Sequence, residues 1–225
     1  MSKIPVYFVP GLAASPAIFE RIKLPEDQFE TILLEWKLPI KGESVIAYTK
    51  RLAEEVTLPN PVLIGVSFGG IIVQEMSKLI PVRKVIIISS AKCNAEFPRR
   101  MRFAKFTKAY KLIPTGMVNN IEKLTHFTLA GKKVNDRLKL YEKYLGVRDK
   151  SYLDWALEKV ITWDRKVPDD KVVHIHGDAD EIFPCKYLHN FIPVPGGTHI
   201  MIINKYKWLN ENLPKIILAD PVKEN

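Results

Sequence analysis

The chain is poor in cysteine, and this scarcity argues against two classes of protein. Only two of its 225 residues are cysteines, and Cys93 and Cys185 stand far apart without the spacing of metal ligands. A small secreted protein held together by disulfides would carry more cysteines, and a zinc site would group them. The count fits a reducing compartment, and we expect the protein to be cytoplasmic.

Long hydrophobic runs are also missing. No apolar stretch approaches the roughly 20 residues that an α-helix needs to cross a bilayer. The run from Ile4 to Val9 could be taken for part of a signal peptide, but Pro5, Pro10 and Gly11 interrupt it. Because 47% of the residues are hydrophobic, the chain can form a large buried core, and we expect a soluble protein.

Acidic residues are scarce in one part of the chain only. The net charge is +9, and residues 92–150 hold 15 Lys and Arg against 5 Asp and Glu, so the remainder is close to neutral. A general nucleic-acid binder would be basic over a larger part of its sequence. The local excess indicates a local anionic partner or a solvated flap, and we expect no nucleic-acid partner.

Strand and helix patterns alternate in the two outer parts of the chain. The predicted strands cover residues 4–9, 29–36, 62–66, 82–90, 172–176 and 191–194. The predicted helices between and after them cover residues 43–56, 68–80 and 200–213. Residues 92–168, called the inserted segment below, show amphipathic helices and no convincing strand. The alternation predicts an α/β protein with a doubly wound, mainly parallel sheet, whose chemistry lies at the C-terminal ends of the strands.

One of those strand ends carries a candidate nucleophile. The sequence Gly65-Val66-Ser67-Phe68-Gly69 has the pattern Gly-x-Ser-x-Gly between a predicted strand and a predicted helix. A sharp strand-to-helix turn that holds a serine oxygen clear of its own backbone needs residues without bulk on either side. The pattern therefore favours a nucleophilic Ser67 over an ordinary glycine-rich turn, provided that its partners are found.

The partners that a serine nucleophile needs follow two other strands. A serine hydroxyl is a weak nucleophile near neutral pH, so a histidine must take its proton and a carboxylate must orient that histidine. Asp178 and Asp180 follow the strand at 172–176, and His199 follows the last strand. The order serine, aspartate, histidine is typical of this kind of turn. Both aspartates remain candidates on this reasoning. His174 is interpreted as a packed core residue and His176 as a residue that braces its turn.

These motifs, taken together, resemble the α/β-hydrolase superfamily over nearly the whole chain. The matching stretches are Pro10-Gly11-Leu12, Gly65-Val66-Ser67-Phe68-Gly69-Gly70, His176-Gly177-Asp178-Ala179-Asp180 with Pro184, and Gly196-Gly197-Thr198-His199. The resemblance implies that Asp180 rather than Asp178 is the acid and that His199 is the base. It also implies about six parallel strands and no metal or organic cofactor.

The resemblance further implies an oxyanion hole and a division of the chain. The two oxyanion donors would be the backbone N–H groups of Leu12 and Phe68. Pro10 departs from the family, where many relatives carry histidine before the glycine, so the bracing of this loop is left open. Residues 1–91 and 169–225 would form the core, and residues 92–168 would form a helical lid.

The lid would contain a basic amphipathic helix over residues 103–113. Phe103, Phe106, Tyr110 and Ile113 fall within about 80° of one another on a helical wheel, and lysines and arginines spread over the other side. We expect the apolar side, with Met101, Met117 and Trp163, to cover the acyl pocket. For the basic side, a solvated face is favoured over docking to an anionic membrane or attraction of an anionic substrate.

The expected function is hydrolysis of a carboxylic ester, or a thioester, through an acyl-enzyme on Ser67. The substrate would be a small molecule with a hydrophobic part. The alternative is a protein of this fold that does not hydrolyse esters. It would bind an apolar ligand or an anionic membrane through the basic lid, or it would catalyse lyase or haloperoxidase chemistry.

Overall fold

Six short strands rich in β-branched residues form one parallel sheet in the computed structural model, which describes residues 2–113, 115 and 143–219. The strands are β1 (Ile4–Val9), β2 (Phe29–Leu33), β3 (Val62–Val66), β4 (Lys84–Ile88), β5 (Val172–Gly177) and β6 (Ile192–Val194). Their order across the sheet is β2-β1-β3-β4-β5-β6, and every pairing is parallel. The fold class predicted from the sequence is therefore confirmed.

The helices lie on both faces of this sheet. They are α1 (Val45–Ala53), α2 (Phe68–Met76), α3 (Arg99–Thr107), α4 (Lys150–Thr162), α5 (Met201–Asn204) and α6 (Tyr206–Leu218). The predicted helix at 200–213 is in fact two helices that meet at Lys205. Among the described residues, no helix has the length and apolarity that would let it cross a membrane.

The side chains of each central strand alternate between two buried clusters, because successive residues of a strand point to opposite faces. In β1, Tyr7 and Val9 belong to a cluster with residues of α1, α2 and α4. Val6 and Phe8 belong to the other cluster, which contains residues of α5 and α6. Both faces are covered, which explains why the central strands read as nearly continuous apolar runs.

The predicted single helix over 103–113 is wrong. Helix α3 ends at Thr107 because Lys108 adopts a left-handed conformation with φ of 57°, and a 3₁₀ turn (Ala109–Leu112) follows. This break rotates Tyr110 away from the line of the two phenylalanines. Tyr110 is buried, whereas Phe103 and Phe106 are exposed to solvent.

The sequence also predicts that the apolar side of this helix, with Met101 and Trp163, covers the acyl pocket. This prediction is wrong for those of its residues that the structure describes. The half-buried side of α3 carries Met101, which packs against the core, and Phe103 and Phe106 point away from it. Trp163 is buried in the core and donates a hydrogen bond to Glu75, with 3.0 Å between its Nε1 and the Glu75 Oε1. Met117 lies outside the described residues.

Helix α4, the longest described element of the inserted segment, packs directly on the core. Its Tyr152, Trp155 and Ala156 are buried, and the rings of Trp155 and Tyr48 lie 4.4 Å apart. The Trp155 Nε1 donates to the carbonyl oxygen of Glu43 at 2.8 Å. The inserted segment is therefore anchored to the helices that cover one face of the sheet.

Candidate active site

Ser67 is the single residue between the end of β3 and the start of α2. Its backbone has φ of 52° and ψ of −114°, a combination that is strained for any residue with a side chain. The Ser67 N–H donates to the Ile88 carbonyl at 2.9 Å, and the Ser90 hydroxyl donates to the Ser67 carbonyl at 2.8 Å. Neighbouring β4 and the loop after it therefore hold Ser67 in this strained conformation.

Two glycines let the backbone pass closely on both sides of Ser67. A Cβ at Gly65 would lie 2.2 Å from the Gly69 carbonyl oxygen, and a Cβ at Gly69 would lie 2.3 Å from the Val9 carbonyl oxygen. Real Cβ atoms do not approach backbone oxygens so closely, so both positions require glycine. Gly65 and Gly69, which the sequence pattern singles out, are thus required because the backbone passes too close to each for a side chain.

His199 links Ser67 to a buried carboxylate. Its Nε2 lies 3.0 Å from the Ser67 Oγ, and its Nδ1 lies 2.9 Å from the Asp180 Oδ2. The three residues follow β3, β5 and β6, whose C-terminal ends meet at the same edge of the sheet. This edge therefore brings together the serine, histidine and aspartate singled out in the sequence.

Asp180 is fixed by backbone donors and is ionised. Its Oδ1 accepts hydrogen bonds from the N–H groups of Ile182 and Phe183 at 2.7 and 3.0 Å. Burial raises the pKa of the Asp180 carboxyl, but the hydrogen bond from His199 and the charge of that ring outweigh it, so the pKa lies below its usual value. A buried carboxylate that stays charged can stabilise a positive charge on His199.

Asp178 takes a different position from Asp180. It is exposed, and its Oδ1 accepts a hydrogen bond from the Gly196 N–H at 2.7 Å. It therefore supports the turn that precedes His199, and it makes no described contact with the His199 ring. Of the two carboxylates left open by the sequence, only Asp180 touches the histidine.

A cavity of about 530 Å³ opens beside Ser67 and His199. Most side chains around it are apolar, and they include Leu12, Ile18, Leu145, Ile182, Ile200, Ile202 and Ile203. Glu181 is the charged exception among the described residues that line it, and no described lysine or arginine does so. The cavity therefore suits an uncharged group with a hydrophobic part.

Solved structures with the same architecture cover nearly all of the chain. The esterase EaEST from Exiguobacterium antarcticum is 15% identical with a TM-score of 0.68, over 97% of this chain and 93% of that chain. The putative non-heme bromoperoxidase BpoC from Mycobacterium tuberculosis H37Rv is 16% identical with a TM-score of 0.69, over 97% and 94%. The chain has the α/β-hydrolase fold. The sequence by itself matches no protein-family model and no curated protein.

In this α/β-hydrolase fold, the two predicted oxyanion donors are free to bind a ligand. Within the described part of the chain, neither the Leu12 nor the Phe68 N–H donates a hydrogen bond. The Phe68 N–H is the first of α2, where the helix dipole favours negative charge. Leu12 lines the same cavity as Ser67. Both N–H groups therefore lack a hydrogen-bond partner in the described part of the chain, at the edge of the sheet that carries Ser67.

Sequence reasoning missed the residues that brace the Leu12 loop in place of a histidine. The Trp36 Nε1 donates to the Gly11 carbonyl at 2.9 Å, and its ring stacks on Phe68 at 5.3 Å. The Ala13 N–H points to the Tyr152 hydroxyl at 3.5 Å. Trp36 therefore couples the loop of one predicted oxyanion donor to the side chain of the other. No motif marks Trp36 or Tyr152, because both are distant from the loop in sequence.

Two buried histidines lie behind Asp180. The His176 Nε2 lies 2.8 Å from the Phe183 carbonyl oxygen and 3.4 Å from the Asp180 Oδ2. The His176 Nδ1 lies 3.1 Å from the His174 Nε2. His174 and His176 are almost fully buried, which agrees with their interpretation as a core residue and a residue that braces the turn.

For the ester hydrolysis expected from the sequence, an Asp180→Asn variant should reduce turnover by about 10⁴-fold, because an amide cannot hold the histidine in the right tautomer or stabilise its charge. The matched Asp178→Asn variant should change turnover only a few-fold, since the Asn oxygen can still accept from the Gly196 N–H. Steady-state kinetics on a chromogenic ester would measure both. Equal losses in the two variants would contradict the assignment of Asp180.

The free energy of unfolding is expected to fall as the pH drops below neutral. Burial, and for His174 also the charges of His176 and Lys92, lowers the pKa of both buried rings. For His176 the nearby Asp180 opposes this shift without cancelling it. The unfolded chain therefore binds more protons below about pH 6.5, the ordinary histidine pKa. The contribution of each ring to the free energy of unfolding is fully present above that pH. It is lost as the pH falls towards the lowered pKa of the ring in the folded state, by up to about 1.4 kcal/mol per pH unit.

Urea unfolding between pH 7.5 and 5.5 would measure this slope. A His174→Phe variant should show a shallower slope than the wild type, because it removes one of the buried rings. Glu96 acts in the opposite sense, because burial raises its pKa and favours the folded state as the pH falls. A slope in His174→Phe as steep as in the wild type would contradict the prediction.

Proposed function

We propose that the protein is a serine hydrolase that cleaves a carboxylic ester through an acyl-enzyme on Ser67. One observation carries the proposal. The His199 ring bridges the Ser67 hydroxyl and the Asp180 carboxylate with bonds of 3.0 and 2.9 Å. This arrangement is what proton removal from a serine requires, and it stands beside an apolar cavity. The similarity to solved esterases supports the same reaction class.

The chemistry would proceed in two halves. His199 takes the Ser67 proton as the oxygen attacks the ester carbonyl, and the N–H groups of Leu12 and Phe68 bind the resulting oxyanion. His199 then gives the proton to the leaving alcohol, which leaves the acyl group on Ser67. In the second half, His199 takes a proton from water as the oxygen of that water attacks the acyl carbonyl, and it then gives this proton to the departing Ser67 oxygen, which releases the acid and restores the Ser67 hydroxyl. Asp180 stabilises the charged ring in both halves.

The substrate would be a small uncharged ester with a hydrophobic part. The apolar lining of the cavity supports this class, and the presence of Glu181 without a described lysine or arginine argues against an anionic acyl group. Thioesters, lactones and amides share the acyl-enzyme. A panel of esters and thioesters of increasing acyl length would rank them, with a monosuccinate ester as the anionic member that should react slowest.

The inserted segment is proposed to act as the lid of this site. The core would comprise residues 1–91 and 169–225, and the lid residues 92–168. Tyr144 and Leu145 support this division because both line the cavity. We also propose a cytoplasmic location, supported by the unpaired state of Cys93 and Cys185.

A fluorophosphonate probe tests the proposed nucleophile, because it reacts with an activated serine and needs no knowledge of the substrate. We expect the wild type to be labelled and Ser67→Ala to remain unlabelled. The matched control is Ser77→Ala, because Ser77 ends α2 and bonds only within that helix. Folded wild-type protein without labelling, or labelling that survives in Ser67→Ala, would refute the proposal.

Peroxide chemistry is a second candidate, supported by similarity to two bromoperoxidases. Hydrogen peroxide could replace water in the second half of the reaction, and attack on the acyl-enzyme would release a peracid and free Ser67. Bromide oxidation in the presence of an ester and peroxide would reveal this activity. Its dependence on Ser67 would distinguish it from a direct reaction of peroxide.

A further inference from the structure

Helix α3 and the turn after it expose four large apolar side chains to solvent. The exposed fractions are 65% for Phe103, 88% for Phe106, 84% for Leu112 and 50% for Ile113. Isolated exposed apolar residues are ordinary, but a group of four within 11 consecutive residues is typical of a contact surface. These side chains are called the α3 surface below.

Four cations lie among these apolar side chains. Arg99, Arg102, Lys108 and Lys111 are exposed, and none has a side-chain hydrogen bond or ion pair in the described part of the chain. At 100° per residue, Arg99, Arg102, Phe103 and Phe106 of α3 fall within about 100° of one another. The aromatic and cationic side chains therefore share the outer side of the helix.

The sequence favours a solvated basic face on the premise that the apolar side of the helix is buried, and the structure removes that premise. A solvated face is the natural interpretation when the apolar side turns inward, but here Phe103 and Phe106 turn outward with the cations. Water alone gives no reason for apolar side chains at these positions. A surface that offers both negative charge and hydrocarbon would stabilise this combination of side chains, and a lipid bilayer with anionic headgroups is such a surface.

We propose that the α3 surface binds an anionic lipid bilayer. The four cations contact lipid phosphates, and the aromatic and aliphatic side chains enter the boundary between headgroups and acyl chains. Aromatic rings suit this boundary, as they do in the interfacial belts of membrane proteins. The proposal goes beyond ester hydrolysis and does not depend on it.

The α3 surface is coupled to the edge of the cavity through Arg100. The Arg100 guanidinium donates to the backbone carbonyl of Glu181 and, at 3.1 Å, to that of Ile182. Both residues line the cavity. A protein bound through the α3 surface would therefore hold its cavity close to the bilayer, where hydrophobic esters concentrate.

Sedimentation with lipid vesicles tests the proposal. We expect the wild type to sediment with vesicles of mixed phosphatidylglycerol and phosphatidylcholine at low salt, less at high salt, and little with pure phosphatidylcholine. Arg102→Glu with Lys108→Glu should weaken binding by more than tenfold, since each cation contributes roughly fivefold near an anionic surface. Phe103→Ser with Phe106→Ser should weaken binding to the anionic vesicles at both salt concentrations.

The matched control removes apolar side chains elsewhere. Leu38→Ser with Ile40→Ser changes residues that are 59% and 60% exposed, and it should bind vesicles like the wild type. All variants should keep the far-ultraviolet circular dichroism of the wild type. Ser67→Ala should also bind vesicles normally, which separates failure of this proposal from failure of the proposed hydrolase.

Three outcomes would overturn the proposal. They are absence of vesicle binding, binding that ignores both salt and lipid charge, and equal loss in the Leu38/Ile40 control and the Phe103/Phe106 variant. If instead the wild type self-associates and the Phe103/Phe106 variant is monomeric by light scattering, without vesicle binding, the surface joins two copies of the chain. Capture of an acidic protein without vesicle binding would also count against lipid.

Discussion

Replacement of His199 by alanine is expected to lower the kcat for ester hydrolysis by about 10⁴- to 10⁶-fold and to leave the fold intact. His199 is the described group that touches both the Ser67 hydroxyl and the Asp180 carboxylate. Without it, the hydroxyl keeps its proton and Asp180 has no ring to orient. Steady-state kinetics with a chromogenic ester would measure the loss, and circular dichroism would show the fold.

A second histidine provides the matched control for this prediction. His189 is exposed and lies outside the cavity that contains Ser67, so His189→Ala should retain the turnover of the wild type. Addition of imidazole should restore part of the activity of His199→Ala if only the proton acceptor is missing. Near-normal turnover by His199→Ala would mean that another group removes the Ser67 proton.

Replacement of Gly65 by alanine is expected to destabilise the fold by more than about 4 kcal/mol, which is near the upper end for one substitution. The added methyl group would lie 2.2 Å from the Gly69 carbonyl oxygen and 2.4 Å from its carbon. These are backbone atoms of the first turn of α2, so no side-chain rotation relieves the contact. Urea unfolding, or soluble yield where the variant does not fold, would measure the loss.

Gly11 provides the comparison within the same site. A Cβ there would lie 3.6 Å from the Ser67 Cβ and 3.7 Å from the Val66 carbonyl oxygen, which are ordinary contact distances. The free energy of unfolding of Gly11→Ala should therefore lie within about 1 kcal/mol of that of the wild type. An unfolding midpoint for Gly65→Ala like that of Gly11→Ala would show that the strand-to-helix turn tolerates more bulk than its geometry implies.

The sheet and the turn at Ser67 could be predicted because their signals are local. Strands β1, β3 and β4 are runs of β-branched and aromatic residues, and buried parallel strands require such runs. The turn at Ser67 carries its own signal, because Gly65 is required by the backbone of Gly69, which is close in sequence. In these places the sequence neighbours of a residue are also its spatial neighbours. Gly69 is the exception, because the Val9 and Pro10 carbonyl oxygens leave no room for a Cβ there.

The parts that could not be predicted depend on distant residues or on one backbone angle. Trp36 and Tyr152 brace the Leu12 loop through hydrogen bonds with residues 25 and 139 positions away, and no periodicity encodes such contacts. The choice between the two aspartates depends on tertiary contacts, because the Asp178 carboxylate accepts a hydrogen bond from the Gly196 N–H and the Asp180 carboxylate contacts His199. The separation of the buried Tyr110 from the exposed Phe103 and Phe106 depends on Lys108, whose left-handed conformation no pattern of hydrophobic residues indicates.

The pair of buried histidines gives Asp180 two unequal neighbours. A carbonyl oxygen only accepts, so the His176 Nε2 must carry its hydrogen towards Phe183, and the His176 Nδ1 must accept from the His174 Nε2. The row then ends at the His174 Nδ1, which has no hydrogen-bond partner in the described part of the chain. Protons therefore have no onward route through the interior from the carboxylate. The His176 and His199 rings both lie near the Asp180 carboxylate, but burial lowers the pKa of His176, so the positive charge that forms during turnover falls on His199, which faces the cavity.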